Sequence, residues 1–184
     1  MRIDNPNINN GSFINPSINT IDSGVETLQM DSTNNDMVLP TTVDIQQVVW
    51  SYINGTLTYS MIHYAYDGTG ASSTGDHLFY LPTGYTFDTN YVAPYVGNIG
   101  APITNSTLYG RHLPGYGLAA YGGGTAGRRA VPLVYDTRSF RLVTLEIFDG
   151  TGGVFERAVG AGNFSIGGTA MTYKTQFTVR AIKA

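Results

Sequence analysis

From Ile45 onward the chain alternates apolar and polar residues with a period of two, and no stretch repeats with the period of a helix. Residues 45–53 are dense in Val, Ile, Trp and Tyr, and Asn54-Gly55 follows them. Residues 56–66 continue with Leu57, Tyr59, Met61 and His63 on one face and Thr56, Thr58, Ser60 and Ile62 on the other. Two β-rich runs joined by Asn-Gly predict a hairpin. Further strands are predicted at 77–81, 128–135, 140–148 and 154–159, with turns at Pro82-Thr83-Gly84, Asp136-Thr137-Arg138 and 150–153. Shorter candidates lie near 91–96, 104–109 and 117–121, within a Gly-, Pro- and Tyr-rich middle. Over 172–182, Tyr173, Thr175, Phe177, Val179 and Ala181 alternate against Lys174, Gln176, Thr178 and Arg180, which is a strand with one wet face.

Short strands separated by turn signals predict an all-β sandwich or barrel. Residues 45–184 are the right size for a single jelly-roll β-sandwich, with an immunoglobulin-like sandwich as the other arrangement. Residues 1–44 differ. They repeat Asn5-Pro6-Asn7-Ile8-Asn9 as Asn15-Pro16-Ser17-Ile18-Asn19, show no helical period, and carry the separated apolar residues Ile8, Phe13, Ile18 and Ile21. Asn and Pro favour turns and extended backbone, so this segment is expected to be an extended N-terminal arm that docks through those four residues.

Composition narrows the picture. Only 12% of residues are charged, against about 25% in a typical soluble domain. A surface so poor in charge suits a protein packed against copies of itself. The first 44 residues hold one basic and six acidic residues, the remainder nine and seven. Coat proteins that package nucleic acid directly use basic arms, so direct nucleic-acid binding is not expected. Cys is absent, which excludes disulfides and thiolate metal ligands. No apolar run follows Met1, and none approaches the ~20 residues of a membrane-spanning helix, so neither secretion by a leader nor membrane insertion is expected.

Three stretches carry a resemblance. They are Trp50-Ser51-Tyr52-Ile53-Asn54-Gly55-Thr56-Leu57-Thr58-Tyr59, then Gly75-Asp76-His77-Leu78-Phe79-Tyr80-Leu81-Pro82-Thr83-Gly84-Tyr85-Thr86-Phe87-Asp88, then Ala161-Gly162-Asn163-Phe164-Ser165-Ile166. With the alternating last strand, they resemble viral single-jelly-roll structural domains. These are penton or minor capsid proteins of large icosahedral double-stranded DNA viruses, and receptor-facing domains of phage fibres. The resemblance implies a virion location, a role in assembly or attachment, and no catalytic residues. The Asn-Pro repeat resembles the spacers that precede fibre heads.

Candidate chemistry is sparse. Gly122-Gly123-Gly124-Thr125-Ala126-Gly127 fits a dinucleotide fingerprint, but the following residues, with Pro132 among them, read as a strand where a helix is required. His63, His77 and His112 lack ligand spacing, so no metal and no cofactor is expected. His63 is expected to be part-buried and hydrogen-bonded, and His77 to bond locally to Asp76. The serines and carboxylates form no catalytic motif, and most of the acids fall in turns. Thirteen tyrosines are the notable excess. Tyr91, Tyr95, Tyr109, Tyr116 and Tyr121, with Arg128 and Arg129 beside them, are the candidates for a subunit interface or receptor patch.

The expectation is therefore a non-enzymatic jelly-roll capsid subunit, at a penton vertex, that self-assembles as a pentamer among other capsid proteins. The alternative is a trimeric fibre or spike head that binds a host receptor or glycan.

Overall fold

The structure is a computed structural model. It describes residues 21–39, 42–65, 73–92, 113, 115–121, 128–147, 154–158 and 171–184; for 116, 118–121, 128–129, 144–147, 154–158 and 171 it describes the backbone only. These residues form eleven strands: β1 (Ile21–Thr27), β2 (Met30–Ser32), β3 (Ile45–Ile53), β4 (Thr56–Ala65), β5 (His77–Tyr80), β6 (Tyr85–Phe87), β7 (Gly115–Tyr121), β8 (Arg128–Val134), β9 (Ser139–Ile147), β10 (Val154–Ala158) and β11 (Met171–Lys183). The fold is all-β and every pairing is antiparallel.

The hydrogen-bonded order is β1-β3-β4-β11-β7-β8-β9-β5-β2, with β10 added to β9. The strand β6 pairs with residues 181–183 at the end of β11 as a second, small sheet. The hairpin β3–β4 turns where Asn-Gly predicts it, and both Asn54 (φ 50°) and Gly55 (φ 79°) are left-handed, as a tight twisted hairpin requires. Pro132 sits inside β8 where pairing to β7 has stopped at Ala130; its carbonyl accepts from Leu113 N–H at 2.8 Å, so its missing N–H breaks no ladder.

The long sheet curls, and β4 and β11 lie across a shared core from β5 and β9. Tyr59 meets Phe140 edge-on at 5.5 Å and stacks on Phe177 at 4.8 Å, while Tyr173 meets Phe79 at 5.2 Å. Tyr59 is fully buried and donates its hydroxyl to Tyr80 O at 3.1 Å, which satisfies its polar end inside the core. Burial of these rings drives the packing, at roughly 25 cal/mol for each Å² of apolar surface removed from water.

Residues 21–32, which composition assigns to the arm, are strands of this body. The segment pairs with β3 along β1, bends through buried Leu28, and pairs with β5 along β2. The two ends of the long sheet are thus two halves of one continuous segment. Strand alternation hides β1 because its inward residues are polar or small. Gly24 leaves room for Trp50, whose ring lies 2.8 Å from where a Cβ would stand. Asp22 accepts from the Tyr85 hydroxyl at 2.7 Å, and Glu26 accepts from Thr83 N–H at 2.9 Å.

Candidate functional site

Because β1 turns Asp22, Gly24 and Glu26 inward, its two apolar residues face out. Ile21 and Val25 are 73% and 60% exposed, and their register partners on β3, Ile53 and Val49, are 45% and 47% exposed. Ile45 extends the same face. On β4 the outward residues are Thr56, Thr58, Ser60, Ile62 and Tyr64, and on β11 they are Thr172, Lys174, Gln176, Thr178 and Arg180. A four-stranded outer face results. Its outward positions contain no carboxylate and two cations, both on β11.

At the centre of this face lies a depression of about 270 Å³, walled by Gln47, Val49, Ile62, Lys174 and Gln176 and floored in part by Ser60. The small serine between Val49 and Gln176 in the register is what opens it. Arg180 is used at the rim. Its Nη1 donates to Asn54 O at 3.1 Å, and its guanidinium lies 5.2 Å from the ring centre of Tyr91, so its charge is shared with the hairpin turn and an aromatic face. A solvated face of this width ordinarily carries alternating charge; this one offers hydroxyls, amides and branched apolar groups. Its row of exposed branched apolar groups sets it apart from the rest of the described surface.

The residues expected from sequence distribute unevenly. Tyr91 is 66% exposed in the turn after β6. Tyr116 and Tyr121 are on β7, opposite Gln176 and Met171, so Tyr116 takes its register position beside the outer face. Arg128 and Arg129 begin β8, opposite Ala119 and Leu118. Ile21 opens β1 at the corner of the outer face. Tyr95, Tyr109, Ile8, Phe13 and Ile18 lie outside the described residues, as does the glycine run 122–127. The run connects two antiparallel strands, and β8 stands where a dinucleotide site needs a helix. The exposed Val25, Ile45, Val49 and Ile53 were not anticipated. The signal was present in the apolar-out, polar-in pattern of 21–27, which reads as a strand only once Trp50 and Tyr85 are known to lie beneath it.

A second cluster is internal. His63, expected to be part-buried and hydrogen-bonded, is fully buried with neither ring nitrogen partnered, and it stacks on Tyr173 at 5.9 Å. Its position on the core side of β4, between Met61 and Ala65, removes it from water and from backbone donors. His77 does not bond to Asp76. Its Nδ1 lies 2.8 Å from the Tyr173 hydroxyl, while Asp76 pairs with buried Arg141 at 2.7 Å. Burial lowers both histidines to about 4, and for His77 the neighbouring His63 adds to the effect. Burial likewise raises the Tyr173 phenol. The cluster is neutral at pH 7. Among the described residues no group of three or more His, Asp or Glu is placed to hold a metal ion.

Comparison with protein-family models, with curated proteins and with solved structures gives no match.

Proposed function

We propose that this chain is a non-enzymatic structural protein of a virus particle, a jelly-roll capsid subunit at a penton vertex that assembles with its own copies and with other capsid proteins. The observation that carries the reading is the outer face of β1, β3, β4 and β11, four strands wide, with exposed Ile21, Val25, Ile45, Val49 and Ile53 and no outward carboxylate. Left in water it is an association hazard; covered by a neighbouring subunit it becomes an interface. The low overall charge supports the same reading, since it removes the repulsion that would keep copies apart.

The jelly-roll form of the fold is part of the proposal. It is supported by the strand content and by the packing of β4 and β11 against β5 and β9. The hairpins β3–β4 and β7–β8–β9 are meander links, so the proposal rests on the sandwich-like core and the outer face and not on strand order.

The test is the molar mass of the full-length, untagged protein by light scattering behind size exclusion. A pentamer of about five times the 19.8 kDa chain is the expected result. A stable trimer replaces the vertex reading with a receptor-binding fibre head. A monomer at every concentration overturns self-assembly.

A further inference from the structure

The outer face needs an occupant, and the chain itself supplies a candidate. Residues 1–20 precede β1, and they join it at Ile21, which is paired with Ile53 in the end row of that face. Fully extended, twenty residues reach about 66 Å, while a strand of nine residues is about 30 Å long, so the segment is long enough to cross a whole face beyond its own. Ile21 is the first residue of β1, so the segment joins the subunit at the edge of this face.

The chemistries match. Residues 1–20 contain one basic residue, Arg2, one acidic residue, Asp4, and separated apolar side chains among Asn and Ser. The face has the same character, with exposed Ile and Val among Ser, Thr and Gln. Its depression of about 270 Å³ beside Ser60 has room for one large apolar side chain. Ile8, Phe13 and Ile18 stand five positions apart, so when one of them seats in the depression its neighbours fall some 16 Å away along an extended chain.

We infer that residues 1–20 of one copy dock on the outer face of β1, β3, β4 and β11 of an adjacent copy, with an apolar side chain from Ile8, Phe13 or Ile18 in the depression over Ser60. The inference rests on the self-assembly proposed above and names the surface through which it works.

The chain has no cysteine, which makes a disulfide test clean. Full-length protein carrying Ile8→Cys, Phe13→Cys or Ile18→Cys is co-expressed with full-length Ser60→Cys protein, purified and oxidised. The expected result is a disulfide-linked dimer of unlike copies for at least one arm position. That dimer is lost when the Ser60→Cys copy also carries Val49→Lys, an exposed change that puts a charge on the wall of the depression. Three results overturn the inference. One is no heterodimer from any arm position. Another is self-linking of Ser60→Cys alone, which means that sheet faces meet directly. The third is linkage confined to one chain in the Ile8→Cys/Ser60→Cys double variant, which means that each arm covers its own face. The molar mass of the unoxidised samples separates the two levels of the argument: oligomers without cross-links sink the docking surface alone, whereas monomers sink self-assembly as well.

Discussion

At the scale of single residues, the unusual decisions are buried polar ones. Arg141 is 1% exposed and its Nη1 holds Asp76 at 2.7 Å, with the guanidinium 4.9 Å from the Tyr135 ring centre. Asp76→Ala removes one of the groups that hold this buried guanidinium, so it is expected to lower stability by about 1–3 kcal/mol in urea denaturation. The buried histidines act through pH. Their folded pKa of about 4 lies below the ordinary value of 6.5, so the unfolded chain binds more protons throughout that interval. Stability is then full above pH 6.5 and falls as pH drops towards 4, by on the order of 3 kcal/mol for each histidine. Thermal melts between pH 7 and pH 4 check the direction. The variant His63→Phe is expected to flatten the decline, because it keeps a ring against Tyr173 and removes the group that must protonate. Asp36 acts lower on the scale. Hydrogen bonds from Ser32 and Thr74 hold it to about 2, so its contribution is lost only as pH falls from 3.8 through that value.

At the scale of elements, β1 is the piece that ties the sheet together, and one glycine decides whether it can. The Trp50 ring occupies the space above Gly24 and packs on Tyr85 at 4.9 Å, and Tyr52 packs on the same ring at 5.1 Å. A branched side chain at Gly24 overlaps that ring, so the ring must shift to make room. Gly24→Val is therefore expected to cost about 1–3 kcal/mol and to shift the emission of the single tryptophan to the red as Trp50 is displaced towards water. The β3–β4 turn is a second control point. Gly55 has φ of 79°, and a Cβ there would stand 3.0 Å from the Arg180 guanidinium, a flexible group. The cost of Gly55→Ala is thus mainly backbone strain, about 1 kcal/mol, measurable as a small shift of the denaturation midpoint with an unchanged slope.

At the scale of the whole molecule, the distribution of charge matters more than its sum. The outer face has no outward carboxylate to pair with Lys174 and Arg180, and Arg180 is already engaged with Asn54 O and the Tyr91 ring. An interface formed there buries branched apolar groups, hydroxyls and amides around Lys174, with no ion pair among the described residues of the face. Its assembly is expected to persist from low to high salt, because screening weakens ion pairs and leaves apolar burial intact. Light scattering across a salt series reads this directly. Dissociation on adding salt would instead point to an interface held by charged contacts.

Much of the strand content follows from local physics and was legible in the sequence, whereas β1, β2 and β6 were not. The Asn54-Gly55 hairpin, the inward row Leu57, Tyr59, Met61 and His63, and the alternation of β11 are set by turn geometry and by a period of two. Neither needs a partner strand to be known. What only the tertiary structure decided is which face of a strand meets the core when the pattern is inverted. In β1 the residues Asp22, Gly24 and Glu26 point inward because Tyr85, Trp50 and Thr83 wait there, brought from positions distant in the chain. That inversion turns Ile21 and Val25 outward, and with Val49 and Ile53 beside them it creates the face on which the functional reading rests. The same holds for His77, whose partner is Tyr173, 96 residues away, and not its neighbour Asp76. Sequence fixes what a residue can bond to. The closing of the sheet fixes what it meets.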